Sequence, residues 1–175
     1  VDLSLMRAAD TATGIAVILV GEGGENVIAV VAGGNGTVAP GDVEAAALRA
    51  GGHLLLQLEI PLETVAPALQ AARAAGAMSL LNTAPFRAEA ADLLAEADIV
   101  VANETEFDLY AGALSLAGSE REQRMRDFSA RTGRAVVAQE APGNVSLGSE
   151  IAATEGARYS TSKDQSATMI WECEV

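Results

Sequence analysis

The sequence predicts an α/β fold, because short apolar segments alternate with longer helical segments from His53 to Ala138. Such alternation is typical of parallel βαβ units, and helices are expected on both faces of the resulting sheet. Half of the 175 residues are apolar, which is sufficient to bury the core of one domain. The expected architecture is an open, mainly parallel sheet flanked by helices and preceded by an antiparallel hairpin.

The hairpin is predicted from two β-branched runs, residues 14–20 and 27–32, with a glycine-rich turn between them. Alternation along the first run places Ala16 and Ile18 on the same face of the strand. After Pro40 the composition becomes acidic and alanine-rich, which is typical of a helix.

The alternating segment defines the expected core. Strands are expected at residues 53–58, 78–81, 99–102 and 135–138, and helices at residues 61–75, 87–96, 104–110 and 119–132. Gly112 is expected to end the third of these helices. From Glu140 onward the apolar residues follow neither the strand period of 2 nor the helix period of 3.6, so a loosely packed or disordered tail is expected. The chain therefore divides into residues 1–36, a core of residues 37–139 and a divergent tail of residues 140–175.

Composition restricts the classes of partner. The net charge of −13 repels polyanions, so neither nucleic acid nor an anionic membrane is expected to bind. A single cysteine, Cys173, cannot form an intramolecular disulfide, and no apolar run is long enough to cross a membrane. Without a signal-peptide pattern, the expected location is the cytoplasm. The sequence starts at Val1 rather than methionine, which indicates an excerpt.

Polar residues follow three successive predicted strands, where ligands bind in open parallel sheets. Gln57 and Glu59 close the first strand, Asn82 follows the second, and Asn103 with Glu106 follows the third. Glu59 is suited to accept hydrogen bonds from a polyol, and Asn103 with Glu106 could organise metal-bound phosphate oxygens. The same spacing also matches a helix N-cap and its capping-box partner. The pattern leaves both interpretations open.

Other polar or glycine-rich features receive structural interpretations. The only histidine, His53, begins a strand and is expected to be structural or exposed. The glycines at residues 21–26 and 32–36 match neither a P-loop nor a dinucleotide fingerprint, which favours turns. Charges of alternating sign at residues 120–127 are typical of a solvated helix face.

Five sequence blocks in a consistent order carry a family resemblance. They are TGIAVILV from Thr13, GENVIAVVAGGN ending at Asn35, QLEIPLE from Gln57, LNTAP from Leu81 and NETE from Asn103. Through these blocks the chain resembles the ribokinase branch of the ribokinase and fructokinase-like (PfkB) sugar kinases between residues 1 and 137. The resemblance implies a ribokinase-like fold that transfers the γ-phosphoryl group of ATP to the 5-hydroxyl of ribose.

The resemblance also implies roles for particular residues. Glu59 would contact the sugar, while Ala16 and Ile18 would belong to a β-sheet lid that covers it, with residues 1–36 as part of the lid and its connection. Asn103 and Glu106 would arrange nucleotide phosphates and Mg²⁺, which Glu106 would reach through water. ATP and Mg²⁺ are the implied cofactors, and a monovalent cation is an optional further one. Lid strands pair subunits in family members, so a homodimer is implied.

Departures from the family pattern limit the expected activity. The GxNxD and GGKGxN sugar motifs and the GAGD motif with its aspartate base do not occur in these residues. The nucleotide loop, TxGxxG in the family, reads AQEAPG here, and Glu140 adds bulk and negative charge where phosphate would approach. Little or no turnover is therefore expected from these residues.

Two alternatives follow from those departures. One is a noncatalytic module that binds sugar or nucleotide, or that dimerises through the hairpin. The other is a related kinase for a different sugar or nucleoside, because the absent sugar motif is a main determinant of specificity. The QLE and LNTAP blocks favour ribose.

Overall fold

The computed structural model describes residues 3–22, 26–140 and 144–147 of the chain. These residues form a two-stranded antiparallel sheet and a separate five-stranded sheet. The strands are β1 (Ile15–Val20), β2 (Asn26–Val31), β3 (His53–Leu56), β4 (Met78–Asn82), β5 (Ile99–Asn103), β6 (Ala135–Glu140) and β7 (Asn144–Leu147). The α-helices are α1 (Pro40–Ala45), α2 (Leu62–Ala75), α3 (Glu104–Ala113) and α4 (Arg121–Thr132), and 3₁₀-helices cover Gly33–Thr37 and Ala88–Ala95. The predicted α/β class and the hairpin are confirmed.

The hairpin pairs β1 with β2 so that Ala16 lies opposite Val30 and Ile18 lies opposite Ile28. Directly opposed residues in an antiparallel pair share a face, so these four apolar side chains lie on one side of the hairpin. The 3₁₀-helix that follows replaces the turn expected at residues 32–36. Its first residue, Gly33, has φ +51°, and a Cβ there would lie 2.4 Å from the carbonyl oxygen of Ala12. Glycine therefore allows the backbone at residue 33 to lie close to the backbone of Ala12, at the base of the hairpin.

Two groups of contacts join the hairpin region to the helices. The guanidinium of Arg7, which precedes β1, contacts both carboxylate oxygens of Asp42 in α1, with its Nε 2.8 Å from Oδ1. The hydroxyl of Thr64 in α2 donates to the carbonyl oxygen of Val38 at 2.8 Å. The segment between the hairpin and α1 is thus attached to α2.

The larger sheet has the order β3-β4-β5-β6-β7, and its first four strands are parallel. Strand β7 pairs with β6 in the antiparallel direction. The sequence pattern did not predict β7, because four residues carry too little periodicity to identify a strand. Residues 148–175 of the expected tail lie outside the described residues, as does the 141–143 part of the expected nucleotide loop.

Helices were expected on both faces of the sheet, and in the described residues the helices that reach the buried cluster pack on one face. Side chains from α2, α3, α4 and the second 3₁₀-helix all join one buried cluster, which includes Leu81, Val100 and Val136 from neighbouring strands. A parallel sheet whose strands are added in one direction, with right-handed crossovers, places every crossover helix on the same side. On the opposite face, Leu55 of the edge strand is 73% exposed, whereas Ile99 and Val137 of the central strands are buried.

Several elements differ from prediction in their ends or their type. Strand β3 ends at Leu56 because the side-chain oxygen of Gln57 accepts a hydrogen bond from the N–H of Glu59, which turns the chain. The expected helix at residues 87–96 is a 3₁₀-helix. Helix α3 continues through Gly112, since glycine lowers helix stability without preventing a helix. None of the helices in the described ranges is both long and apolar enough to cross a membrane.

Candidate functional site

The ends of strands β3, β4 and β5 are joined by backbone hydrogen bonds that extend beyond the sheet. The N–H of Leu58, after β3, donates to the carbonyl oxygen of Ala84, after β4, at 3.0 Å. The N–H of Thr83 donates to the carbonyl oxygen of Val101 in β5 at 2.9 Å. The turns that carry the predicted polar residues are therefore neighbours at one edge of the sheet, where ligands bind in this class of fold.

Asn103 and Glu106 form a reciprocal cap at the start of α3. The Asn103 side-chain oxygen accepts from the N–H of Glu106 at 2.7 Å, and Oε2 of Glu106 accepts from the N–H of Asn103 at 3.1 Å. The capping interpretation of this spacing thus describes the geometry in the structure. The cap also holds the Glu106 carboxylate in one place, so it is compatible with a ligand-binding role for the same residue.

Thr83 is a further component of this cap that the sequence interpretation missed. Its hydroxyl donates to Oε2 of Glu106 at 3.1 Å, and its side chain is fully buried. Glu106 itself is only 9% exposed. The available signal was weak, because a threonine just beyond a strand end also fits the role of an ordinary turn residue.

Glu59 lies in the turn after β3 and is half-buried. The hydrogen bond from its N–H to the Gln57 side chain sets the backbone of this turn. Asn82 is exposed, and its side-chain oxygen accepts from the N–H of Ala84 at 3.0 Å. Of these three polar residues, Gln57 and Asn82 stabilise turns, which leaves Glu59 as the candidate sugar ligand.

Tyr110 of α3 is fully buried. Its hydroxyl donates to the carbonyl oxygen of Arg87 at 3.0 Å and accepts from the N–H of Arg87 at 3.1 Å. Its ring meets that of Phe86 edge-on, with the centroids 4.7 Å apart. Burial raises the pKa of the Tyr110 hydroxyl above its usual value of 10.0. The tyrosine connects α3 to the segment that follows the LNTAP block.

The other predicted site residues lie on the hairpin. Ala16 and Ile18 are both exposed, and Ile18 retains 58% of its accessible surface. The described residues therefore do not enclose them against Glu59. His53, expected to be structural or exposed, is exposed at the start of β3.

The chemistry of the site suits an indirect contact with magnesium better than a complete set of protein ligands. Within the described part of the chain, no three acidic, histidine or cysteine side chains lie close enough together to hold a metal ion. Mg²⁺ commonly keeps several waters and is bound through one or two carboxylates together with substrate phosphates. Both hydrogen bonds to the Glu106 carboxylate go to Oε2, and among the described residues Oε1 accepts none. Oε1 therefore fits a contact with a metal-bound water.

Comparison with protein families matches residues 1–148 to the pfkB family carbohydrate kinases. A ribokinase from Staphylococcus aureus is 38% identical over 110 residues, which cover 62% of this chain and 36% of that protein. A deoxyribokinase from Salmonella typhi is 35% identical over 105 residues, which cover 58% of this chain and 34% of that protein. The structure of Arabidopsis thaliana ribokinase complexed with ribose and ATP superimposes with a TM-score of 0.56 at 25% identity, over 79% of this chain and 46% of that one.

The family match covers most of the chain, and the superposition on Arabidopsis ribokinase agrees with it at the level of the fold. The chain belongs to the pfkB family of carbohydrate kinases. It is a ribokinase-like member, and the matched residues span about a third of the length of the curated relatives described above.

Proposed function

We propose that these residues form the sugar-contacting and phosphate-organising part of an ATP-dependent kinase that phosphorylates ribose. The observation that carries the proposal is the meeting of three strand ends at one edge of the sheet, with the Glu106 carboxylate held between Asn103 and Thr83. The ribose and ATP present in the Arabidopsis ribokinase structure support the same pair of substrates.

In this proposal Glu59 accepts hydrogen bonds from sugar hydroxyls. It follows β3 directly, its backbone is set by Gln57, and its turn is bonded to Ala84. A carboxylate on a defined turn suits a polyol because it accepts from two adjacent hydroxyls at once. Ala16 and Ile18 supply an apolar cover when the hairpin lies over the sugar.

The phosphate end of the site requires a cation. Glu104 and Glu106 both lie in the first turn of α3, so two carboxylates would repel an approaching phosphate. Magnesium, when bound with the nucleotide, would neutralise charge on the transferring phosphoryl group. Asn103 and Glu106 would hold the waters of that ion, and a monovalent cation would be an additional cofactor of the same site.

Turnover from these residues alone is expected to be very low. The aspartate base that the family resemblance places in a GAGD motif is not in this sequence, and Glu140 stands where the nucleotide loop has a glycine. General-base catalysis contributes about 10²–10⁴-fold, and loss of oxyanion stabilisation costs about 10²–10³-fold. Ligand binding is the property these residues are expected to retain.

A homodimer through the hairpin is the proposed assembly, and the cytoplasm is the proposed location. Nine aliphatic side chains of β1 and β2 are strongly exposed, and they lie on both faces of the hairpin. One face could cover the sugar, while the other packs against a second copy.

The exposed apolar surface of the hairpin also favours the second candidate function, a noncatalytic module that binds ligand or dimerises. A kinase for another sugar is favoured by the similar identity to a deoxyribokinase.

The proposed function is tested by titrating the complete chain with a fluorescent ATP analogue, with and without Mg²⁺. Glu106→Gln is the test variant, because its amide oxygen can still accept from Asn103 and Thr83. Glu104→Gln is the matched control, since it removes the same charge from the same helix turn at a side chain that is 40% exposed. A parallel assay measures ADP release with and without ribose.

We expect Mg²⁺-dependent binding that weakens about 10-fold or more in Glu106→Gln, as for loss of an outer-sphere metal partner. Glu104→Gln should retain the magnesium dependence. Equal loss in both variants would show that general charge, rather than the Glu106 position, controls binding. Ribose-dependent ADP release at kinase rates would contradict the expected lack of turnover and require another base within the sequence.

A further inference from the structure

We propose that Thr83 is a positioning residue for Glu106, and this inference rests on the proposed function. The Thr83 hydroxyl and the Asn103 N–H both donate to Oε2, each at 3.1 Å. With that oxygen occupied, Oε1 is the carboxylate oxygen left for a magnesium-bound water. Thr83 thereby determines which carboxylate oxygen of Glu106 contacts the magnesium-bound water.

The position of the Thr83 hydroxyl is set by the backbone of the sheet. The Thr83 N–H bonds to Val101 at 2.9 Å, which adds one more link between the segments of β4 and β5. A β-branched side chain has few χ1 rotamers, and this one is fully buried. The hydroxyl is therefore a fixed donor rather than a mobile one.

The geometry of a carboxylate explains why a second donor matters. The terminal torsion of glutamate is broad and roughly two-fold, so a single hydrogen bond restrains the orientation of the carboxylate weakly. Two donors on the same oxygen, one from β5 and one from the segment after β4, restrict that rotation. Without the hydroxyl, either oxygen could accept from Asn103, and the other would no longer be held in one place.

A merely structural role for Thr83 makes a different prediction. Its hydroxyl would then only satisfy a buried polar atom, and its loss would reduce stability without changing magnesium dependence. Thr64 provides a matched case. It is also fully buried, and its hydroxyl donates to the carbonyl oxygen of Val38 at 2.8 Å. Thr64 lies in α2, whereas Thr83 lies at the strand ends. Replacement of either threonine by valine removes one buried hydroxyl at nearly constant volume.

The test compares Thr83→Val, Thr83→Ser and Thr64→Val in the complete chain. The measurements are the melting temperature and the Mg²⁺ concentration that half-saturates binding of the fluorescent ATP analogue. We expect Thr83→Val to raise that concentration about 10-fold, within the range for loss of an outer-sphere partner. Thr83→Ser keeps the hydroxyl and should leave that concentration much closer to the unmodified value than Thr83→Val does. Thr64→Val should lower the melting temperature to a similar extent and leave the magnesium dependence unchanged.

The outcomes separate the positioning role from the proposed function. If Glu106→Gln alters magnesium dependence but Thr83→Val does not, the positioning role is wrong and the proposed function stands. If Thr83→Val and Thr64→Val change both measurements equally, the effect is one of stability and the inference is overturned. If the folded, unmodified chain shows no magnesium-dependent binding, the proposed function fails and the positioning role fails with it.

Discussion

Strands β1 and β5 are built from the same kinds of residue, yet one is exposed and the other is buried. Ile15 and Leu19 in β1 are 58% and 64% exposed, whereas Ile99 and Val100 in β5 are 8% and 0% exposed. Strand β5 lies between β4 and β6 and beneath a layer of helices, while β1 has only β2 as a neighbour. β-branched composition favours an extended backbone, but burial depends on what the rest of the fold places against the strand.

The difference indicates different uses for the two regions. The parallel sheet buries the face beneath the helices and, at Ile99 and Val137, part of the opposite face. It presents polar residues at its strand ends. The hairpin presents apolar side chains on both faces and buries neither within the described residues. Contiguous exposed apolar surface of this kind marks a binding surface. A ligand, a second copy or both would complete the hairpin.

The largest expected effect comes from making the same substitution in the two regions. Leu69 of α2 is 1% exposed and belongs to the core cluster, while Leu19 of the hairpin is largely exposed. Leu69→Ala should lower the free energy of unfolding by about 2–5 kcal/mol through lost burial and a residual cavity. Leu19→Ala should change it by about 0.5 kcal/mol or less at low protein concentration. Urea denaturation followed by circular dichroism measures both.

Sedimentation velocity extends this comparison to the proposed dimer. Leu19 lies on the hairpin face opposite to Ala16 and Ile18. Leu19→Ala should therefore weaken self-association, while Leu69→Ala should affect association only at temperatures where the chain unfolds. A loss of stability in Leu19→Ala that matches Leu69→Ala and is independent of concentration would mean that the hairpin packs within its own chain.

The elements of the core could be predicted from the sequence because apolar periodicity is a local property. The β-branched run at residues 99–102 and the acidic start of α3 each identify their element without knowledge of the rest of the chain. The adjacency of the strand ends could also be anticipated, since successive parallel strands end at one edge. The family resemblance then assigned sugar binding and phosphate binding to residues at these strand ends.

The remaining features depend on contacts between segments distant in sequence, and the apolar periodicity of a single segment does not reveal such contacts. The location of the helices on one face follows from the strand order, which no single segment encodes. The contact between Thr83 and Glu106 joins residues that are 23 positions apart. Strand β7 exists because it pairs with β6, rather than because its four residues favour a strand.

A smaller effect on the free energy of unfolding is expected when the hydrogen bonds of the buried Tyr110 hydroxyl are removed. Tyr110→Phe keeps the ring contact with Phe86 but removes the hydroxyl that bonds to both backbone groups of Arg87. The free energy of unfolding at pH 7 should fall by about 1–3 kcal/mol, the cost of leaving buried polar groups unpaired. Urea denaturation measures it. An unchanged stability would mean that water replaces the hydroxyl and that the turns are open to solvent.

The same variant has a distinct pH dependence. Burial raises the pKa of the Tyr110 hydroxyl in the folded chain above the value of 10.0 expected in the unfolded chain. As the pH rises through 10, the unfolded chain loses this proton first, so the folded state is progressively disfavoured. The stability difference between the unmodified chain and Tyr110→Phe should therefore narrow above pH 10. A difference that widens there would indicate that the tyrosinate is stabilised in the folded state.

The smallest effect concerns the contact between the segment before the hairpin and α1. The Arg7 guanidinium, by its hydrogen bond, and the N–H of Ala39 lower the pKa of the Asp42 carboxyl from 3.8 to about 2. Because the pKa is lower in the folded state, this contact stabilises the fold above pH 3.8, and the contribution is lost as the pH falls through 3.8 towards 2. Carbon NMR of the carboxyl should give a titration midpoint near 2 in the unmodified chain.

Arg7→Ala should move that midpoint towards 3.8 and leave the core resonances unchanged, because both side chains are solvent-accessible. The melting temperature should change only slightly, as is usual for an exposed ion pair. Asp42→Asn provides the complementary variant, since its amide oxygen can still accept from Ala39 while the charge is lost. If Arg7→Ala left the midpoint near 2, the hydrogen bond from the Ala39 N–H would account for the lowered pKa of Asp42. The Arg7–Asp42 pair would then not hold the segment before the hairpin to α1.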